Sequence, residues 1–348
     1  MHLRPRFTTI CLTITLIFIT GTALSTTVSA AAQREYVLTG KTMGTFYRIK
    51  FIPDKPVSKA LWKKKVALRL KAVNARLSMY LKDSEISRFN AAPAHTPFHL
   101  STDFRRVLEQ CTHLYTISDG AWDGTVKPLV DLWGFGVKDK ATDLPTTEAI
   151  EAAMAHTGFD KLILKDQTLT KAADGITLDL GAIAKGYGVD EIARLFPAAG
   201  IKNYLVEIGG EVAGGGRNQR GIPWVVGISR PVKGAMSSGI YRVVTLDNKA
   251  IATSGNYRNF FELDNKTYAH IINPATGYPV DNLVVSASVI APECTIADGL
   301  ATALMVMDPA KGIDLINRMD HIECLIILKQ GEVFVPKRSK GFKAYEMD

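Results

Sequence analysis

Cysteine is scarce in this chain. There are four among 348 residues, and no two of them form a Cys-x-x-Cys pair, which argues against a zinc site. Past the first thirty residues there is no second long apolar run, so no further membrane span is expected. No basic run is interleaved with aromatics, so nucleic acid is not an expected partner. Internal repeats and low-complexity tracts are also missing, which leaves one large globular domain or two modest ones with a real core. The formal net charge of +8 suits a phosphorylated ligand, and equally an ordinary solvated basic surface.

The first thirty residues read as a secretory signal peptide. Arg4 and Arg6 precede an uncharged apolar stretch from Phe7 to Thr20, and Val28-Ser29-Ala30 offers a small-x-small cleavage site before Ala31. Cys11 lies inside the apolar stretch and no Cys follows near the cleavage site, so no lipid anchor is expected. The expectation is a soluble periplasmic protein spanning 31–348, with an uncleaved N-terminal anchor as the alternative. Cys111, Cys294 and Cys324 then remain. An odd count leaves a thiol over, and buried free thiols are expected, with one disulfide as the alternative.

Along residues 31–348, Tyr36 to Ile52 reads as two strands around Gly44, and Val57 to Met79 as a long Lys-rich amphipathic helix. Ser101 or Thr102 caps a helix to about Ser118, and Thr146 to Thr157 forms another. Lys161–Leu164 and Ile176–Leu180 read as strands, and Ala182–Phe196 as a helix. The second half is mostly strand: Tyr204–Ile208, Trp224–Ser229, Tyr241–Leu246, Ala250–Thr253, Asn259–Leu263 and Val284–Ile290. Asp247-Asn248 and Asp264-Asn265 are turn candidates, and Gly214-Gly215-Gly216 reads as a flexible loop. Two helices, Thr295–Met307 and Pro309–Arg318, precede strands near Ile322–Leu328 and Val333–Val335. Successive strands joined by turns predict an α+β fold, with antiparallel sheet and helices packed on it.

Several segments carry candidate chemistry. Leu178 to Asp190 reads LDLGAIAKGYGVD, where a strand-like run breaks at Gly181 and a helix begins with small residues. A helix N-terminus offers free N–H groups and partial positive charge to a phosphate, and Lys185 adds a formal charge. The same turn also occurs in any mixed α and β protein. Asp298 and Thr302 lie four apart on one predicted helix face, a hard-oxygen pair suited to Mg²⁺. Thr295-x-x-Asp298 equally reads as a capping box that needs no metal, and spacing alone favours that reading. His270 sits in a loop between Tyr268 and Pro279, rich in Pro and Gly, where the backbone would position it as a general base or as a plain hydrogen-bonding group. Tyr80 and Trp122 offer aromatic faces, and Asp123 a carboxylate, for a flat polar ring, although Trp122 could instead be core. Arg258 could hold a phosphate or pair with Glu262.

Taken in order, these segments resemble the ApbE family of FAD:protein FMN transferases. The matching stretches are Met43-Gly44-Thr45; Met79-Tyr80 with Asp83 to Asn90; Gly120 to Asp123 with Leu132 to Gly136; and Leu178 to Tyr187. Further on they are Thr253 to Gly255 with Tyr257 to Asn259; His270 to Pro274 with Thr276-Gly277; and Ala297-Asp298 with Ala301-Thr302. The resemblance implies a T-fold-like α+β arrangement, FAD as donor substrate, and Mg²⁺ held by Asp298, Thr302 and the Gly188 carbonyl. It implies flavin and adenine contacts at Met43, Tyr80, Ala121, Trp122, Asp123, Lys185, Glu191 and Ile272, with His270 near the phosphates. The acceptors it implies are flavin-carrying subunits of membrane redox complexes. This chain departs from the family at Asn273, where the family often has Asp, at Gly124, often Pro, and at Gly299-Leu300, often Ala-Trp. Asn273 removes a charge near the site.

Overall fold

The computed structural model describes residues 34–136, 143–232, 239–257, 259–263 and 266–347. All of them belong to one compact unit, Gln33–Asp348. The signal-peptide reading, Arg258 and the Asp264-Asn265 turn lie outside the described residues.

Strands β1 (Tyr36–Thr42) and β2 (Thr45–Ile52) form a hairpin. Its two turn residues, Met43 and Gly44, both have positive φ, 49° and 70°, as a twisted two-residue hairpin requires. Helix α1 (Lys59–Leu77) starts at Ser58, whose side chain accepts the Leu61 N–H. It buries Trp62, Val66, Leu70, Val73 and Leu77 along one stripe. After α2 (Glu85–Ala91) and β3 (Phe98–His99), α3 (Thr102–Ile117) is capped by Ser101 as the sequence predicts. Next come α4 (Lys127–Leu132), α5 (Thr147–Met154) and the hairpin of β4 (Leu162–Lys165) and β5 (Thr168–Lys171).

Residues 176–180, expected as a strand, form no ladder and run extended into α6 (Gly181–Ala193). Their apolar alternation is real, because Ile176, Leu178 and Leu180 are fully buried. Here β-like periodicity marks a buried connector rather than a strand. Strands β6 (Asn203–Ile208), β7 (Glu211–Gly215), β8 (Trp224–Ser229), β9 (Ile240–Leu246) and β10 (Lys249–Gly255) follow. Gly214 and Gly215 are therefore buried sheet residues, not a flexible loop. A Cβ on Gly215 would come within 2.4 Å of the Tyr204 ring, so glycine there admits a cross-strand aromatic. The turn at Asp247-Asn248 exists, with Asn248 at φ 51°, but it joins strands of different sheets. The chain ends with β11 (Phe260–Leu263), β12 (Lys266–Ala269), β13 (Val284–Ala291), α7 (Cys294–Val306), α8 (Pro309–Ile316), β14 (Glu323–Gln330) and β15 (Val333–Arg338).

The main sheet has eight antiparallel strands in the order β1-β2-β6-β7-β10-β13-β14-β15. Alternation sorts its side chains between two faces. Ala287, Val289, Cys324 and Ile326 join the helices in one core, while Ile251, Ile290, Leu325 and Ile327 meet β8 and β9 in another. The three cysteines in this unit are buried and free. No helix among the described residues is long and apolar enough to cross a membrane.

Helices α6 and α7 lie at the centre of the helical layer and are joined by two reciprocal carboxylate contacts. Asp190 of α6 accepts the Cys294 and Thr295 N–H groups, each at 2.8 Å, and the Thr295 hydroxyl. It thereby caps a helix that has no cap of its own. Asp298 of α7 accepts the Gly186 N–H of α6 at 2.9 Å. The capping-box reading of Thr295 and Asp298 thus gives way to capping from a neighbouring helix. Gly186 permits the approach, because a Cβ there would lie 2.4 Å from the Cys294 carbonyl oxygen.

Burial opposes the Asp190 charge more than its hydrogen bonds favour it, raising its pKa to about 6 from 3.8. For an acid shifted upward, the contribution to stability is full below the unfolded value and is lost as pH rises through the folded one. Urea unfolding should therefore show wild type losing about 3 kcal/mol relative to Asp190→Asn between about pH 4 and pH 7. A difference that stays constant over that range would contradict the assignment.

Candidate active site

A cavity of about 470 Å³ opens where the β1–β2 turn, the C-terminal end of α1, the start of α6 and the loop after β12 converge. That volume suits a ligand larger than a single amino acid or phosphate. Its lining includes Met43, Tyr80, Ala121, Trp122, Asp123, Lys185, His270, Ile272, Asp298 and Thr302. Ten of the twelve site residues read from the sequence are therefore brought together, from segments up to 259 positions apart.

Two of the twelve lie elsewhere. Glu191 is buried outside the lining and pairs with Arg69 and Arg194. Arg69 also clamps Asp103 through two hydrogen bonds of 2.7 and 2.6 Å, so Glu191 belongs to a network that ties α1, α3 and α6. Gly188 lies in the interior of α6 and does not line the cavity. Its Cβ would stand 2.9 Å from the Met43 side chain, so glycine there makes room for Met43. The part of α6 that reaches the cavity is Gly181, Ala182, Ala184 and Lys185. In a regular helix the Gly186 N–H belongs to the Ala182 carbonyl, but Asp298 competes for it.

The polar side of the cavity is built around Lys185. Its ammonium pairs with Glu211. Burial works against its charge, yet Asp298 and Glu211 outweigh burial and hold its pKa above the ordinary value. Burial raises the pKa of Asp298 despite Lys185 and the Gly186 N–H. Burial, then Asp298, raises that of Glu211 against the pull of Lys185. One cation thus faces two buried carboxylates, and Glu211 Oε2 has no hydrogen-bond partner. The Thr302 hydroxyl lies 3.0 Å from Ser254 Oγ. No group of three His, Cys, Asp or Glu side chains among the described residues could hold a metal. A hard cation would instead find Asp298 and the Thr302 hydroxyl, an oxygen pair suited to Mg²⁺ rather than zinc.

His270 is held by its neighbour's backbone. Its Nδ1 lies 3.0 Å from the Asn259 carbonyl oxygen. A carbonyl only accepts, so Nδ1 carries the proton and the neutral ring keeps its lone pair on Nε2. Burial lowers its pKa, the Asn259 contact opposes this, and Lys185 adds to the lowering. Phe135 meets the imidazole edge-on, at 6.4 Å between ring centres.

The aromatic side joins an exposed Tyr80 to a buried Trp122 whose indole N–H lacks a partner. Trp122 is thus both a core residue and a wall of the cavity. Asp123 accepts the Thr125 N–H at 2.7 Å and its hydroxyl at 2.6 Å. Two of the departures from the family pattern also have local reasons. An alanine at Gly299 would meet Leu114 at 2.2 Å. Asn273 Oδ1 accepts the Ala275 N–H at 2.9 Å and shapes the turn after His270.

The sequence reading passed over Glu211 and Asp179, which also line the cavity. Glu211 follows the Gly209-Gly210 turn, where φ is 64° and 107°. A carboxylate straight after a double glycine at a strand end is the signal that would have found it.

An α+β scaffold with a cleft that joins aromatic walls to a buried Lys, two carboxylates and a neutral His suits a protein that handles an elongated, phosphate-bearing ring compound. The sequence profile of the ApbE family matches residues 43–326. The chain is 42% identical over 310 residues to a FAD:protein FMN transferase of Vibrio cholerae, covering 88% of this chain and 92% of that one. It is 37% identical over 313 residues to one of Escherichia coli K12, covering 89% and 88%. Among solved structures it resembles the flavin transferase ApbE from Vibrio cholerae (TM-score 0.82, 38% identity, 90% of this chain and 99% of that one). It also resembles the Pseudomonas stutzeri flavinyl transferase ApbE in its apo form (TM-score 0.81, 35% identity, 90% and 97%). The chain belongs to the ApbE family.

The Asn259 contact makes a direct prediction. Nitrogen-detected NMR should show the His270 ring proton on Nδ1 and a titration midpoint below 6.5. A midpoint above 6.5, or a proton on Nε2, would contradict this geometry.

Proposed function

We propose that this chain transfers the FMN half of FAD to a Thr or Ser hydroxyl of a target protein and releases AMP. Family membership and the names of its relatives support the reaction. The observation that carries the residue roles is the meeting of Lys185, Asp298, Thr302 and His270 in one cavity that Tyr80 and Trp122 also line.

Two carboxylates against one ammonium would repel a pyrophosphate, so the site fits its ligand only with an added cation. Asp298 and Thr302 would hold Mg²⁺, which when bound supplies neutralisation of pyrophosphate charge. Lys185 binds the phosphates from the first turns of α6, where the helix dipole adds to its charge. Tyr80 and Trp122 offer aromatic surface to the ring systems. The acceptor hydroxyl attacks the flavin-side phosphorus as its proton passes to His270 Nε2. The bond to the bridging oxygen breaks, and AMP departs with that oxygen. The hydrogen bond between the Ser254 and Thr302 hydroxyls holds the Thr302 side chain in place at the cavity.

The reading of residues 1–30 as a signal peptide supports a periplasmic location. Flavin-carrying subunits of membrane redox complexes that face that compartment would then be the acceptors.

The test incubates purified enzyme, FAD and Mg²⁺ with a membrane extract and reads covalent flavin fluorescence on a denaturing gel. A fluorescent band is expected with wild type. Asp298→Ala should lose at least about a hundredfold of the transfer rate. His270→Gln should lose about a hundredfold or more while still binding FAD. Undiminished transfer by Asp298→Ala would overturn the metal assignment, and rapid conversion of FAD to FMN and AMP without acceptor would favour hydrolysis.

A further inference from the structure

Glu211 is a site carboxylate with only one of its two oxygens engaged. It is only 3% exposed. One oxygen meets Lys185, while the other is buried with no hydrogen-bond partner. A buried carboxylate oxygen left unpaired costs free energy, and native structures rarely retain one without a use. Its position is strictly built. Gly209 has φ 64°, and a Cβ there would press on Thr45 at 2.9 Å and approach Glu211 Oε2 at 3.4 Å. The fold thus sets glycine beneath this side chain and holds it in the cavity wall beside Lys185.

Where both Glu211 and Asp298 are ionised, Lys185 cannot neutralise the two of them, so the cavity then carries surplus negative charge, and a pyrophosphate adds more of the same sign. We propose that Glu211 makes dinucleotide binding depend on the cation: its charge repels the FAD pyrophosphate until a divalent ion offsets it. Asp298 and Thr302 would bind the ion, and Glu211 would couple that event to entry of FAD. The consequence is order, with cation before or together with FAD, and rejection of metal-free dinucleotide. Glu211 is in this account a specificity residue for the loaded substrate form rather than a proton-transfer group. The inference rests on the flavin-transfer reading of the same cavity.

Equilibrium binding separates the two claims. FAD fluorescence is titrated with wild type and Glu211→Gln, with and without Mg²⁺, at about pH 8, where Glu211 is ionised despite its upward shift. Wild type should bind FAD at least about tenfold more tightly with Mg²⁺ than without. Glu211→Gln should bind metal-free FAD about tenfold more tightly than wild type, and its gain from Mg²⁺ should shrink by a similar factor. Glu211→Asp, which keeps the charge, should retain the wild-type gain and so separates charge from packing; thermal melting identifies any variant that does not fold. A Glu211→Gln protein that folds and keeps the full Mg²⁺ gain would overturn the coupling role while leaving flavin transfer intact. Wild-type FAD binding indifferent to Mg²⁺ would instead overturn the metal reading beneath it.

Discussion

The crossing of α6 and α7 is the contact on which the rest depends. Asp190 reaches from α6 to cap α7, Asp298 reaches back to the Gly186 N–H, and Gly186 leaves no side chain to hold the helices apart. Each helix contributes half of the polar site, Lys185 from one and Asp298 with Thr302 from the other. The two contacts fix those halves against each other before any ligand arrives, as a preorganised site requires. Burying these carboxylates is costly, and their raised pKa values record that cost. The cost is held in place by a fully apolar surround, in which Cys294, Ala297, Leu300 and Ala301 are buried without exposure.

Charge arithmetic then decides what the cavity accepts. Lys185 alone would draw in any phosphate. Opposed by Asp298 and Glu211, it would on the proposed reading favour a phosphate that comes with a cation. His270 lies at the same wall but is kept neutral by burial and aligned by the Asn259 carbonyl. Cation handling and proton handling are thus given to different groups, whose environments push their titrations in opposite directions.

Much of this was legible in the sequence because short-range rules govern it. Ser58 and Ser101 cap helices where a Ser precedes an apolar period, and Met43-Gly44 turns a hairpin. The antiparallel α+β class followed from the run of strands after Tyr204. What misled was local pattern without its tertiary setting. Ile176 to Leu180 alternates like a strand but has no ladder partner, and Gly214-Gly215 looks like a loop but fills a sheet beside Tyr204. At the site, ten of the residues read from short motifs line one cavity. Gly188 and Glu191 lie outside that lining, because motif spacing cannot tell which face of α6 meets the cavity, and that face is set by the α7 contact. Glu211 escaped notice because its meaning lies in Lys185, which is 26 positions away.

The most direct measurement of the central claim is mass spectrometry of an acceptor protein after incubation with this enzyme, FAD and Mg²⁺, with nucleotide release quantified in the same reaction. The account predicts an acceptor Thr or Ser carrying FMN through a phosphoester, with one AMP released for each flavin attached. Release of AMP matched by free FMN, with the acceptor unmodified, would contradict it.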